Sequence, residues 1–182
     1  MTDVTAPRTD HQRCRVVFMG MMGSGKSTIG RELASRTGWP YHDNDELLER
    51  DRGITARALL GAHGEDALRA AEAAALALGL REPEPCIIGA AAGTILDPDS
   101  RAAMTRDGLV VWLRASPATL AARAAGATHR PWLEQGEQWF QATVAERDPL
   151  YASVADVVVD TDHRSPAEVA AELLPRLVEL CG

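Results

Sequence analysis

A phosphate-binding pattern directly after a short apolar run is the feature that most constrains this chain. Residues Arg15 to Met19 are mostly apolar, and Gly20 to Ser27 then follow the pattern G-x-x-x-x-G-K-S. The run predicts a buried strand, and Ile29 to Ala34 carries apolar residues at helical spacing. Strand, glycine-bearing turn and helix in this order favour a phosphate-binding loop over a glycine-rich turn without a ligand.

The chemistry of this loop depends on its glycines and its single lysine. Glycine permits backbone torsion angles that other residues avoid, so successive N–H groups turn toward an anion at the positive end of the following helix. Lys26, the only lysine of the chain, supplies a flexible point charge for the outer phosphates. The Ser27 hydroxyl group is a candidate ligand for Mg²⁺.

Composition and charge exclude several classes of protein. The 182 residues suffice for one domain, and no apolar run approaches the ~18 residues that a membrane span needs. A net charge of −7 argues against general binding to nucleic acids or anionic membranes. Cys14, Cys86 and Cys181 form neither a metal pattern nor a plausible disulfide framework, which favours a cytoplasmic protein.

Alternating strand and helix patterns predict an α/β fold in one domain over residues 15–182, after a flexible N-terminal arm at 1–14. The architecture expected is a three-layer α/β/α sandwich around a parallel sheet, because most of the strand candidates are apolar throughout. The strand candidates are Arg15 to Met19, Pro40 to Asp43, Cys86 to Gly89, Leu109 to Leu113 and Ala155 to Asp160.

Two segments exceed what simple crossovers require. Residues 45–80 are largely helical in pattern, with a turn and N-cap at Gly53 to Thr55, and predict helices that cover a substrate. Residues 124–138 break the helical pattern and predict a lid that closes over the site.

Two carboxylates end the second strand candidate. In a doubly wound sheet, strand C-termini gather around the ligand crevice, so Asp43 and Asp45 are expected to face the phosphate loop. Asp43 is placed to support magnesium, and Asp45 to accept a proton from an attacking hydroxyl group. An N-cap for the helix that starts at Glu46 is an equally good interpretation of Asp45.

Three arginines are candidates for binding anions. Arg69 and Glu72, at i and i+3, also fit a plain surface ion pair. Arg130, in the predicted lid, is suited to stabilise a phosphoryl group in transfer. Arg147 is suited to grip a carboxylate by its planar fork. Both Arg130 and Arg147 also fit solvated surface arginines.

Taken together, these features resemble the shikimate kinase family from about Val16 to Leu177. The matching residues are Gly23 to Gly30, Asp43 and Asp45, Gly64 and Glu65 before Arg69 and Glu72, Arg130 and Pro131 with Leu133, and Arg147 with Pro149, Leu150 and Tyr151.

The resemblance implies a P-loop, nucleoside-monophosphate-kinase-like fold with a five-stranded parallel sheet. It implies ATP- and Mg²⁺-dependent phosphorylation of shikimate, or of another small hydroxylated acid, by a monomer. The implied nucleotide-binding residues are Gly23, Ser24, Gly25, Lys26, Ser27, Thr28, Arg123 and Pro166. The implied catalytic residues are Lys26, Asp45 and Arg130; those that bind the metal are Ser27 and Asp43; and those that bind the substrate are Asp45, Arg69, Ala91, Ala92 and Arg147.

One departure from the family leaves the function open. Where shikimate kinases have three consecutive glycines, this chain has Ala90, Ala91 and Ala92. A left-handed backbone at any of them would cost about 1 to 2 kcal/mol. The triplet therefore suggests either harmless drift with negative φ, or a changed substrate, or lost activity. A gluconate kinase and a catalytically silent nucleotide-binding protein are the alternatives.

Overall fold

A computed structural model of the chain describes residues 14–125 and 137–181 and contains a five-stranded parallel sheet. Its strands lie in the order β2-β3-β1-β4-β5, and every neighbouring pair is parallel. The sheet confirms the predicted fold class. The strands are β1 (Arg15–Met19), β2 (Tyr41–Asp43), β3 (Cys86–Gly89), β4 (Leu109–Arg114) and β5 (Val157–Asp160).

The bounds of three strands differ slightly from those predicted. Strand β4 runs one residue further because Arg114 pairs across the sheet edge with Asp160, at 2.6 Å between Nε and Oδ1. Strand β5 begins two residues later than expected because the Ala155 N–H still bonds to the Tyr151 carbonyl oxygen of the preceding helix. Strand β2 begins at Tyr41, one residue later than expected.

Helices cover both faces of the sheet. Helices α1 and α7 pack on one face, and α3 to α6 pack on the other, which gives the predicted three layers. The helices are α1 (Lys26–Thr37), α2 (Asn44–Arg52), α3 (Ala56–Gly79), α4 (Pro98–Asp107), α5 (Pro117–Ala125), α6 (Glu137–Val154) and α7 (Pro166–Cys181), with a 3₁₀ turn at Thr94–Leu96.

The central strand shows why the sheet is buried on both sides. Val16 and Phe18 of β1 pack under α1 and α7, whereas Val17 and Met19 pack under the opposite helices. All four side chains are buried. Burying a side chain of this size contributes roughly 1.5–3 kcal/mol, so this strand anchors the phosphate loop that follows it.

The helical region at 45–80 forms a small core of its own beside the sheet. Gly53 ends α2 in a left-handed conformation, and the Thr55 hydroxyl oxygen accepts the Ala58 N–H at 3.2 Å, as an N-cap of α3. Helix α3 is broken at Gly64, where φ is 80°. The residues that hold α2 against α3 are Leu47, Leu48, Leu68, Ala71 and Ala75.

The predicted lid at 124–138 and the N-terminal arm at 1–14 fall mostly outside the described residues. Arg130 is among the residues not described. Cys14, the last residue of the predicted arm, donates its N–H to Glu84 Oε2 at 3.2 Å. Across the described ranges, none of the helices combines the length and apolar character that a membrane crossing requires.

Candidate active site

The phosphate loop joins β1 to α1 and adopts the geometry that its glycines predict. Gly20, Gly23 and Gly25 have φ values of 142°, 81° and 97°. Lys26 folds back over the loop, and its Nζ donates to the Gly20 and Met21 carbonyl oxygens at 2.8 and 3.0 Å. The ammonium group is therefore held beside the loop at the positive end of α1.

Ser24 supports the loop from inside. Its side chain is buried, and its N–H donates to the Met21 carbonyl oxygen at 3.1 Å. A Cβ atom added at Gly20 would come within 2.9 Å of Ser24 Oγ. The Ser24 hydroxyl group is buried without a hydrogen-bond partner, and Ser24 is not part of the wall of either cavity described below.

Asp43 links the second strand to the phosphate loop. Its Oδ2 accepts the Ser27 hydroxyl at 2.7 Å and the Tyr41 hydroxyl at 3.1 Å. Its Oδ1 accepts the Asp45 N–H at 3.1 Å, so Asp43 is the N-cap of α2. Burial and the neighbouring Asp43 carboxylate raise the pKa of Tyr41, which keeps the Tyr41 hydroxyl group a donor.

The interpretation of Asp45 as an N-cap is therefore wrong. Helix α2 begins at Asn44, two residues earlier than expected, because Asp43 performs the capping. Asp45 lies in the first turn, is exposed, and lines a cavity beside the phosphate loop.

The cavity beside Asp45 has a volume of about 580 Å³ and lies between the sheet, α2, α3 and α6. This size suits a small organic ligand. The predicted substrate-binding residues meet in its wall, although they come from four separate parts of the chain. They are Asp45, Arg69, Ala91, Ala92 and Arg147.

Arg69 lies in the cavity wall between two carboxylates. Its Nη1 bonds to Glu72 Oε2 at 2.8 Å, and its Nη2 to Glu65 Oε1 at 2.7 Å. The Glu72 side chain is only 10% exposed, so this is a cavity-wall pair rather than the surface pair that spacing alone allowed. Burial raises the pKa of Glu72, while the Arg69 guanidinium group acts in the opposite direction.

Arg147 reaches the same cavity from α6. Its Nη1 donates to the Ala92 carbonyl oxygen at 3.3 Å, and Tyr151 donates its hydroxyl hydrogen to that oxygen at 3.2 Å. The Nε atom of Arg147 is buried without a hydrogen-bond partner. An unsatisfied buried donor on a cation is costly, and a small shift toward an anion in the cavity would satisfy it.

The alanine triplet adopts an ordinary backbone. Among the described residues, His163 is the only non-glycine residue with positive φ, so none of the three alanines is in the left-handed region. Ala90 is buried in the core, and all three alanines line the cavity. The three alanines keep the negative φ that the first interpretation requires, and the strain that a left-handed alanine would cause is absent at these three residues.

A second cavity, of about 460 Å³, lies on the other side of the phosphate loop. Arg123 lines it and ties the loop to the end of β5: Nη1 donates to the Gly23 carbonyl oxygen at 3.2 Å, and Nη2 to the Thr161 carbonyl oxygen at 2.6 Å. The other predicted nucleotide-binding residues in its wall are Gly23, Gly25, Lys26, Ser27, Thr28 and Pro166.

The two cavities share part of their walls. Met22, Lys26 and Ser27 line both, so a ligand in each would meet at the phosphate loop. This is the geometry that a transfer between two bound molecules requires.

Sequence reasoning missed two residues of the site. Arg164 lines the second cavity and is held by Glu172, with 2.6 Å between Nη2 and Oε2. Its position two residues before Pro166 is the signal that was available. Tyr41 lies two positions before Asp43 in β2, and residues at this spacing share one face of a strand, which is the signal that was available.

The chain is similar to known proteins over most of its length. The family model described as shikimate kinase matches residues 22–178. A shikimate kinase of Symbiobacterium thermophilum is 39% identical over 168 residues, which cover 90% of this chain and 96% of that protein. A shikimate kinase of Xanthomonas oryzae is 41% identical over 164 residues, which cover 89% and 91%.

Solved structures show the same similarity. The shikimate kinase of Acinetobacter baumannii, in complex with shikimate, superposes with a TM-score of 0.86 at 27% identity and covers 93% of this chain and 95% of that one. A gluconokinase of Sinorhizobium meliloti superposes with a TM-score of 0.62 at 23% identity, covering 96% and 95%. The latter similarity concerns the fold alone.

Proposed function

Because the chain belongs to the shikimate kinase family, we propose that it transfers the γ-phosphate of ATP to a hydroxyl group of shikimate, forming shikimate 3-phosphate. The observation that carries the proposal is the shared wall at Lys26 and Ser27. There the cavity with two arginines for a carboxylate meets the cavity built around the phosphate loop.

On the acceptor side, Arg69 and Arg147 bind the carboxylate of shikimate. Arg147 Nε is a buried donor without a partner, and a planar guanidinium group matches a carboxylate. A relative with shikimate bound, from Acinetobacter baumannii, supports this choice of acceptor. The carboxylate held at this end orients the ring so that one hydroxyl group faces the phosphate loop.

Asp45 orients that hydroxyl group and accepts its proton. The Asp43 cap fixes the first turn of α2, which places Asp45 in the wall of the acceptor cavity. A positioned general base contributes about 10²- to 10⁴-fold to a rate. Lys26 and the loop N–H groups stabilise the charge that spreads over the transferred group. Arg130 is proposed to add its charge from the lid.

The nucleotide lies in the second cavity. The phosphates rest on residues 23–28, and the base is held between Arg123 and Pro166, which line the same cavity. The contacts of Arg123 with Gly23 and Thr161 fix it against both the loop and the β5 end.

The residues at the loop fit Mg²⁺. A hydroxyl and a carboxylate oxygen, Ser27 Oγ and Asp43 Oδ2, lie 2.7 Å apart, and Mg²⁺ prefers few protein oxygen ligands together with water and phosphates. Ser27 and Asp43 would hold the ion, directly or through water, and the ion would supply charge neutralisation at the phosphates.

The proposal includes action as a monomer. It also places the protein in the cytoplasm, a compartment that keeps thiols such as those of Cys14, Cys86 and Cys181 reduced. Both statements remain predictions of the proposal.

An ADP-release assay with a panel of acceptors tests the function. Purified protein with ATP and Mg²⁺ is given shikimate, quinate or gluconate in separate reactions, with Lys26→Ala as the inactive control. We expect turnover with shikimate well above that with quinate or gluconate. Higher turnover with gluconate would favour a gluconate kinase, and ATP binding without any turnover would favour a silent nucleotide-binding protein.

A further inference from the structure

Two cysteines that are far apart in the sequence meet beside the sheet. Cys14 lies directly before β1, and Cys181 is the last residue of α7. The Cys14 thiol donates to the Cys181 carbonyl oxygen at 3.3 Å between Sγ and O, although the two residues are 167 positions apart. The two thiols also share a hydrogen bond. Cys14 and Cys181 are therefore neighbouring thiols, and neither of them lines the two cavities.

The alternation of side chains along β1 explains why Cys14 meets Cys181 and not Cys86. Successive side chains of a strand point to opposite faces of the sheet, so Cys14 lies on the same face as Val16 and Phe18, under α1 and α7. Cys181 packs against the core cluster of this face, whereas Cys86 is buried in the cluster of the other face. Of the three cysteines, all of which the structure describes, only Cys14 and Cys181 share a face.

The backbone holds Cys14 in place for this contact. Its carbonyl oxygen accepts the Cys86 N–H at 2.9 Å, and its N–H donates to Glu84 Oε2 at 3.2 Å. The last carbonyl groups of a helix lack partners within the helix, and the Cys14 thiol supplies a donor to one of them. A disulfide requires sulfur atoms about 2.05 Å apart. Side-chain rotation and a small movement of the last turn of α7 are sufficient to bring the neighbouring sulfur atoms together.

The exposure and protonation of the two thiols favour a bond that forms only with an oxidant. Cys14 and Cys181 are half-buried, so a small oxidant can reach them, whereas Cys86 is buried. Burial, and after it the neighbouring Cys14 thiol, raises the pKa of Cys181. Because thiolates are the species that attack an oxidant, the Cys181 thiol reacts more slowly than an ordinary cysteine. The two cysteines therefore stay reduced until an oxidant is supplied.

We propose that Cys14 and Cys181 form a reversible disulfide with a low-molecular-weight disulfide as the oxidant, and that this bond joins α7 to β1 and stabilises the fold. One cysteine, as its thiolate, attacks a sulfur atom of the oxidant and releases one small thiolate, which leaves a mixed disulfide. The second cysteine thiolate attacks the protein sulfur atom of the mixed disulfide and releases the other small thiolate. The two cysteines lose two electrons, the oxidant gains them, and the two protons pass to the small thiols.

The length of the loop that the bond closes sets the expected stabilisation. The bond would join residues 167 positions apart, and a cross-link that closes a long loop restricts the unfolded chain most. For a domain of this size we expect the Tm to rise by roughly 5 to 15 °C on oxidation. This inference does not depend on the proposed function, since it requires neither nucleotide nor acceptor.

Peptide mapping tests whether the bond forms. The whole protein is incubated with oxidised glutathione, alkylated under denaturing conditions, digested without reductant and analysed by mass spectrometry. We expect Cys14 linked to Cys181, with Cys86 alkylated, and dithiothreitol should restore three alkylated cysteines. Three free thiols after oxidation, glutathione retained on either cysteine, a bond to Cys86 or a bond between two chains would each overturn the proposal.

Thermal unfolding tests whether the bond stabilises the fold. Oxidised wild type is expected to melt roughly 5 to 15 °C above its reduced form. Cys14→Ser and Cys181→Ser should show no such difference, and Cys86→Ala, the matched control, should keep it. Each variant is compared with its own reduced form, so a loss of stability from the substitution itself does not enter the comparison. A linked wild type that gains less than about 2 °C, or a gain that persists in Cys14→Ser, would overturn the stabilising role.

Discussion

The Ser27 hydroxyl group donates a 2.7 Å hydrogen bond to Asp43 Oδ2, although strand β3 separates β1 from β2 in the sheet. The bond joins the first turn of α1 to the cap of α2. It brings together the two oxygen ligands proposed for Mg²⁺ and places them beside the wall that both cavities share.

Replacing Asp43 is expected to weaken the use of Mg²⁺. Asp43→Asn keeps an oxygen to cap α2 but removes the negative charge beside Ser27. We expect the Mg²⁺ concentration for half-maximal activity to rise about 10-fold or more, as is typical when a partner that orients a metal ligand is lost. A Mg²⁺ titration measures this, with Asp51→Asn, at an exposed position of α2, as the control. An unchanged requirement would contradict the role of Asp43.

Replacing Arg147 is expected to impair recognition of the carboxylate. Arg147→Lys keeps the positive charge but loses the planar fork and the Nε donor. We expect the KM for shikimate to rise about 10- to 100-fold, from the loss of a charge-assisted hydrogen bond. For the methyl ester of shikimate, which lacks the carboxylate, wild type and variant should differ little. Arg50→Lys, at an exposed position of α2, is the control. Equal effects on acid and ester would show that Arg147 does not bind the carboxylate.

Replacing the alanine triplet by glycine is expected to change stability more than activity. The three alanines have ordinary backbone angles, so each glycine adds conformational freedom, which costs roughly 0.5–1 kcal/mol, and at the buried Ala90 it also removes a packed methyl group. Urea unfolding should show this loss, while turnover with shikimate stays within about 3-fold of wild type because no strain is relieved. Ala102→Gly, at an exposed position of α4, is the stability control. A large gain in activity would mean that the three alanines limit the activity of the enzyme and are not neutral replacements.

Acid is expected to weaken the start of α4. Asp97 Oδ2 accepts the Ser100 hydroxyl and N–H at 2.6 and 2.9 Å, and the Ser100 hydroxyl is the main cause that lowers the pKa of Asp97 below 3.8. A lowered carboxyl pKa stabilises the fold above pH 3.8 and loses this contribution as pH falls through the lowered value.

Asp97→Ala is therefore expected to cost about 0.5–2 kcal/mol at pH 7, as the loss of an N-cap does. The difference from wild type should shrink as the pH falls below 3.8. Denaturant unfolding at several pH values measures it, with Asp99→Ala, which leaves the cap in place, as the control. A difference that does not depend on pH would show that the charge of Asp97 is not involved.

Sequence patterns were sufficient for the sheet and the phosphate loop because both depend on local features. Apolar runs marked all five strands to within two residues, and the glycines with positive φ lie where the loop pattern places them. The family resemblance implied that Arg69 and Arg147 bind the same substrate, and both line one cavity. Spacing alone could not predict that they lie together, because they are 78 positions apart in the chain.

Other features depend on side-chain contacts that a sequence pattern does not specify. The sequence pattern fits an N-cap at Asp43 as well as one at Asp45. The hydrogen bond from the Asp45 N–H to Asp43 Oδ1 identifies Asp43 as the cap. Asp43 also accepts a hydrogen bond from Ser27, 16 positions earlier in the chain, and only the packing of α1 beside β2 brings these two side chains together.

The phosphorylated product tests the central claim most directly. Wild-type protein and Asp45→Asn are incubated with ATP, Mg²⁺ and shikimate, and product is followed by ³¹P NMR, with Glu46→Gln, an exposed neighbour paired with Arg31, as the control. We predict shikimate 3-phosphate from wild type and Glu46→Gln, and a kcat at least about 100-fold lower for Asp45→Asn at a similar KM, as expected for loss of a general base. ATP binding without product in wild type, or an undiminished rate in Asp45→Asn, would contradict the account.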